Sequence, residues 1–231
     1  MQTVRKAEPY TLLEYQSSDP RVFGVEMRPQ APDTIQAILG GIAWVSQSAG
    51  FRSELTFLVF KLPNRVTSVD ICHIAECARA HGLSKRVCAI VSPQAPRLAM
   101  TMASLQRNEI AVLLGEVGRH SRFSDVVEPP LNGVMIDGEL IAQACGDPHA
   151  ASILDAIVGL ANNLGLKSFA NECVTNTQFE FALSAGVSYV SYGRPYGDAA
   201  GPVLPHLAST FRGQDGWAVR HNARPLNRRA L

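Results

Sequence analysis

Ile153-Leu-Asp-Ala-Ile-Val-Gly-Leu-Ala-Asn-Asn-Leu-Gly-Leu-Lys-Ser-Phe-Ala-Asn-Glu-Cys-Val-Thr-Asn-Thr-Gln-Phe-Glu-Phe-Ala-Leu-Ser-Ala-Gly-Val-Ser-Tyr-Val190 decides how this chain is read. Ile153, Ile157, Leu160, Ala161 and Leu164 recur at helical spacing, and Gly165 stops the helix. Upstream, Asp147 followed by Pro148 supplies the start chemistry for the same helix. Lys167-Ser-Phe-Ala170 reads as a strand. Thr175 and Gln178 form a capping-box pair that opens a second helix ending near Gly186, and Val187 to Val190 is the next strand. Helix, strand, helix, strand in this order is the grammar of a parallel sheet with crossover helices.

The same alternation extends towards the amino terminus. Strands are expected at Arg21–Arg28, Leu55–Leu62, Arg86–Val91, Glu109–Leu114 and Asn132–Asp137. Helices are expected from Asp33 to Ala49, Ser68 to His81 and Pro96 to Arg107, with Asp33 as an N-cap and Gly50 as a stop. This succession is long enough to close into a barrel. An open doubly wound sheet satisfies the periodicity equally well.

With 231 residues, 46% of them hydrophobic, the chain fits one large domain with a sizeable core. A net charge of +1 gives no electrostatic reason to expect nucleic acid or an anionic membrane as partner. The five cysteines, Cys72, Cys77, Cys88, Cys145 and Cys173, are odd in number and sit in apolar segments, so free thiols in a reducing compartment are expected. No stretch has the apolar length of a membrane span, and the first residues form no secretion signal, so a cytoplasmic location is expected. From Pro195 onward the composition shifts to Gly, Pro, Asn and Arg. The expected organisation is a barrel domain over residues 1–197 and a tail over 198–231, packed on the barrel or partly disordered.

The segment from 153 to 190 resembles the EAL family of cyclic di-GMP phosphodiesterases, which carry there a helix ending in Leu-Gly, a strand ending in Ala-Glu-Gly-Val-Glu, a Thr-x-x-Gln helix start and a Gly before the last strand. Gly133-Val-Met-Ile-Asp137 is similar to the family's Lys-Ile-Asp strand, and Leu114-Gly-Glu-Val-Gly118 to its Leu-Asp-Asp-Phe-Gly. Gly24-Val-Glu-Met27 stands where the Glu-Ala-Leu signature begins; sliding that alignment by two residues puts Gly24 in place of Glu26. The likeness covers about residues 10 to 197. It implies a TIM-like (β/α) barrel of the EAL type, modified and one helix short near the first strand.

The family's reaction implies Mg²⁺ or Mn²⁺ held by carboxylates and an Asn at successive strand ends, activating water and gripping phosphate. Matched residue by residue, the signature Glu is Glu26, the Asn is Lys61 (Phe60 on a shift by one), and the next Glu is Ala89 (Ile90 on a shift). The Asp pair falls on Gly115 and Glu116, and the Lys of Lys-Ile-Asp is Met135, followed by Asp137. The Ala-Glu-Gly-Val-Glu positions give Asn171, Glu172 and Val174, and the Gln after the last strand is Ser191. Alanine offers nothing to a hard cation, and an ammonium repels one. The expectation is therefore an inactive EAL-like regulatory domain that acts through a protein partner, with no metal and no cofactor. The alternatives are a cyclic di-GMP receptor and a residual phosphodiesterase using Glu26, Glu116, Asp137 and Glu172. A homodimer is admitted by analogy with the family.

Each position also has a plainer reading. Glu26 is expected as a solvated strand-end residue slightly ahead of a relic ligand. Lys61 is read as solvated ahead of a built-in cation. Glu172, replacing a Gly, is offered as a plug of the mouth. Arg28 and Arg194 are possible phosphate contacts, with internal ion pairs preferred. His73, Cys77 and His81 share one helical stripe, but no fourth zinc ligand is evident. His120 and Ser121, beside the loop that the family uses for dimerisation, have no triad partner.

Overall fold

The computed structural model describes residues 10–17, 23–29, 34–47, 55–118 and 131–192. Eight strands close into a barrel in sequence order. They are β1 (Tyr10–Gln16), β2 (Phe23–Pro29), β3 (Leu55–Lys61), β4 (Val87–Val91), β5 (Ala111–Val117), β6 (Gly133–Ile136), β7 (Lys167–Cys173) and β8 (Tyr189–Tyr192). The described helices are α1 (Ile35–Gln47), α2 (Ser68–Ala80), α3 (Leu98–Arg107), α4 (Gly138–Ala144), α5 (Pro148–Asn163) and α6 (Asn176–Ser184). The barrel alternative is the observed one. From β2 to β8 every neighbouring pair is parallel.

The barrel closes through a strand absent from the sequence reading. β1 runs antiparallel to both neighbours, pairing Leu13 with Glu26 on β2 and Tyr15 with Ser191 on β8. The seven-residue α4 is likewise an addition, started by Asp137, whose carboxylate accepts the Glu139 N–H at 3.0 Å. The expected start of α5 is observed, with the Asp147 carboxylate accepting from the His149 N–H and Pro148 in the first turn. The Thr175–Gln178 capping box opens α6. Asp33 and Gly50 lie outside the described residues.

Alternation along the strands sorts side chains into an inner and an outer layer. Inside the barrel pack Tyr15, Phe57, Val59, Cys88, Ile90, Ala111, Leu113, Met135, Phe169 and Tyr189. Phe169 meets the Tyr15 and Phe57 rings edge-on, at centroid distances of 5.5 and 5.6 Å, the arrangement that aromatic quadrupoles favour. Phe57 leans over β2 so closely that a Cβ at position 24 would lie 2.0 Å from its ring, which is why Gly24 stands there. Outside, Val25, Met27, Leu58, Phe60, Ala89 and Val91 pack against the first three helices. On the opposite side, Leu114, Val134, Ile136, Ala170 and Val190 pack against the last three. Among the described residues no helix is long and apolar enough to cross a membrane.

Candidate functional site

The carboxyl ends of the parallel strands open into a cleft of about 560 Å³, the face on which barrel enzymes build their sites. Its lining brings together Glu26, Arg28, Lys61, Gly115, Glu116, Met135, Asp137, Asn171 and Glu172. Ile90, the shifted alternative to Ala89, and Ser92, which the sequence reading did not choose, line the wall at the end of β4.

Glu26 sits at the centre of this arrangement. It is 3% exposed, so the solvated reading is replaced by a buried carboxylate that needs partners. Three are supplied from three strands. The Tyr15 hydroxyl on β1 donates to Oε2 at 2.7 Å, Asn171 Nδ2 on β7 donates to the same oxygen at 3.4 Å, and Arg28 Nε donates to Oε1 at 2.6 Å. Arg28 is two residues along β2, hence on the same face, and its Nη1 turns to pair with Glu172. Burial pulls the Arg28 pKa down, but the two carboxylates more than reverse that, so the net direction is up. Burial, reinforced by the Glu26 charge, raises the Tyr15 pKa well above the ordinary phenol value, so the hydroxyl remains a donor.

Across the mouth, Lys61 Nζ lies 3.5 Å from Glu116 Oε1, with both side chains close to half exposed. Glu116 and Glu172 occupy equivalent irregularities. The β5–β6 register shifts between Leu114 and Val117 and the β7–β8 register between Ala170 and Cys173. Each glutamate has a left-handed backbone, φ 56° and 63°. Bulges of this kind re-aim a side chain at a strand end.

Several expectations need correction. Ala89 faces the helices, and the residue of β4 that faces inward at the cleft is Ile90, the one-residue shift. On β3 Phe60 faces outward, and Lys61 lines the cleft. Val174 does not line the cleft; it is 62% exposed past the end of β7, its N–H donating to Gln178 Oε1 at 2.8 Å. Glu172 does not plug the mouth, which is open, but stands on its rim tied to Arg28. Lys61 is not merely solvated, since it pairs with Glu116. Met135 is buried among the inner aromatics with Sδ 3.8 Å from the Tyr15 hydroxyl. Gly24 and Glu26 both face inward, and of the two only Glu26 lines the cleft.

Ser191 is buried on β8, and its Oγ finds no hydrogen-bond partner among the described residues. The stripe on α2 divides its roles. His81 Nδ1 lies 2.8 Å from Ser46 Oγ, the Cys77 thiol donates to the Leu39 carbonyl at 3.6 Å, and His73 is exposed. Arg194, His120, Ser121 and the tail lie outside the described residues.

Hard divalent ions require several converging oxygens. Here one carboxylate is held by a guanidinium and another faces an ammonium, while Ile90 and Gly115 bring no side-chain oxygen. No group of three or more His, Cys, Asp or Glu suited to a metal ion occurs among the described residues. The donor set does not fit a metal pair.

The sequence model of the EAL domain matches residues 69–191, and the chain belongs to that family. Among solved structures it is similar to the EAL domain of Mycobacterium smegmatis DcpA, at 16% identity and a TM-score of 0.69, covering 79% of this chain and 89% of that one. It is also similar to a standalone EAL protein from Vibrio cholerae O395 in its cyclic di-GMP-bound form, at 13% identity and a TM-score of 0.66, covering 82% and 93%. Klebsiella pneumoniae BlrP1, solved with manganese and cyclic di-GMP, aligns at 14% identity and a TM-score of 0.65 over 82% of this chain and 56% of that one. The comparison with curated proteins finds no match.

Proposed function

We propose that this EAL-family chain is a non-catalytic signalling domain of the cytoplasm, acting through a protein partner and without a metal cofactor. The observation that carries the reading is the state of Glu26. The carboxylate at the signature position is buried and already gripped by Arg28, Tyr15 and Asn171. Metal-assisted hydrolysis requires ions that bind the phosphate oxygens and lower the pKa of the attacking water. Here the positions that would hold them carry Lys61, Ile90 and Gly115, and Met135 brings no charge to the cleft. The working unit is the barrel of residues 1–197, with 198–231 as an accessory tail.

A second reading, a cyclic di-GMP receptor, is favoured by one observation: the cleft stays open and presents Arg28 and Lys61. Calorimetric titration of the full chain with cyclic di-GMP separates the two. An adaptor gives no heat of binding; micromolar or tighter affinity removes the pure adaptor and leaves the receptor.

A further inference from the structure

The net charge of +1 conceals two regions of opposite sign. Between residues 131 and 192 the sole Lys or Arg is Lys167, at the start of β7, while Glu139, Asp147, Glu172 and Glu180 are all exposed. Over residues 61–107 the balance reverses, and Lys and Arg outnumber Asp and Glu. Both signs reach the rim of the barrel mouth. Arg65 lies in the β3–α2 connection and Arg97 is the N-cap of α3, and both are exposed. Among the described residues neither joins an ion pair. Asp70, the carboxylate nearest them in sequence, is turned back on Thr67. The first turn of α3 holds no acidic residue, so the positive end of its dipole adds to Arg97. Because the strands close in sequence order, the ends of β3 and β4 stand across the mouth from that of β7.

The two rims also carry exposed apolar side chains. Val69 and Met100, in the first turns of α2 and α3, are 62% and 66% exposed, and Val174, between β7 and α6, is 62% exposed. Single apolar residues scattered on a surface need no explanation. Three at one end of the barrel, each beside charge of one sign, have the composition of a contact. The surface that complements both rims is the same pair of rims turned over. A two-fold axis across the mouth sets the basic rim of one copy on the acidic rim of the other, and repeats the contact. We propose that the chain pairs mouth to mouth with a second copy, Arg65, Val69, Arg97 and Met100 of each docking on Glu139, Val174 and Glu180 of the other. This deepens the reading above by making the protein partner a second copy of the chain. The cleft opens between the rims, so pairing covers it.

The test is sedimentation velocity of the full chain over a range of concentrations, at about 0.05 and 0.5 M salt. Wild type is expected to sediment as a dimer at low salt, with a dissociation constant roughly tenfold or more higher at the upper salt. Arg65→Glu/Arg97→Glu makes the basic rim acidic, and Val174→Lys/Glu180→Arg makes the acidic rim basic. Each variant alone is expected to be monomeric with an unchanged circular dichroism spectrum. An equimolar mixture of the two is expected to restore a dimer, since each then meets opposite charge on both rims. Should either double variant fail to fold, the exposed single substitutions Met100→Glu and Val174→Lys replace the pair, with weakened dimer alone and recovery on mixing. Three results overturn the proposal. They are a wild type monomeric at every concentration in low salt, a dimer that neither variant weakens, and variants whose mixture does not recover one. The first leaves the rims to the chain's own basic tail or to a different protein. None of them touches the non-catalytic reading, which cyclic di-GMP turnover by wild type would remove.

Discussion

The lower and upper halves of the barrel interior are built by the same strands, yet they obey different rules. Below, Phe57, Phe169, Tyr189 and the Tyr15 ring fill the lumen with interlocking aromatics, and Gly24 gives up its side chain to admit Phe57. Above, one step along those strands, the lumen is lined by charge: Glu26, Arg28, Lys61, Glu116 and Glu172. Tyr15 joins the levels, its ring in the aromatic layer and its hydroxyl on Glu26. The lower half is held by burial and shape. The upper half is held by pairing, and its ion pairs differ in quality: Arg28 meets a buried carboxylate at Glu26, whereas Lys61–Glu116 is wet.

That contrast can be broken in graded steps. Removing the Phe169 ring takes away edge contacts to Tyr15 and Phe57 at the barrel's centre, so Phe169→Ala should cost about 3–5 kcal/mol in denaturant unfolding. A cost below about 1 kcal/mol would mean that the aromatics do not hold the barrel shut. Glu26→Ala removes one of the two carboxylates on Arg28 and the acceptor of the Tyr15 hydroxyl, and should cost about 2–3 kcal/mol. Tyr15→Phe keeps the ring and removes only the donor to a buried carboxylate, for which about 1–2 kcal/mol is expected. Lys61→Ala should fall below about 1 kcal/mol, because its partner Glu116 remains hydrated. If Lys61→Ala proved as costly as Glu26→Ala, the distinction between the two pairs would collapse.

How much of this was legible in the sequence follows from the same alternation. The α5–β7–α6–β8 run was readable because caps, stops and periodicity agree there, and the structure returns the Asp147 cap and the Thr175–Gln178 box. β1 was not, since a lone antiparallel strand ahead of the βα repeats breaks the pattern that signalled the rest. Nor was α4, only seven residues long and opening on glycine. On β4 the run Val-Cys-Ala-Ile-Val is buried along its whole length, so no polar residue marks the inward face, and Ala89 was matched where Ile90 stands. Lys61, matched through the family likeness, closes an apolar strand and lines the cleft. Val174 was misplaced because the irregularity around Glu172, with its left-handed backbone, resets the strand's alternation. The Glu26–Arg28 pair is a same-face i, i+2 match within one strand and was open to reading. The Tyr15 contribution, from a strand not foreseen, was not.

We propose that the cleft of this EAL domain does not hydrolyse cyclic di-GMP, because Glu26, Glu172 and Glu116 are already paired with Arg28 and Lys61. The direct measurement is to incubate the purified full chain with cyclic di-GMP and excess Mn²⁺ and to quantify the linear and mononucleotide products by chromatography. Product no higher than in the protein-free blank is expected, for wild type and for Glu26→Ala alike. Turnover by wild type that Glu26→Ala abolishes would contradict it.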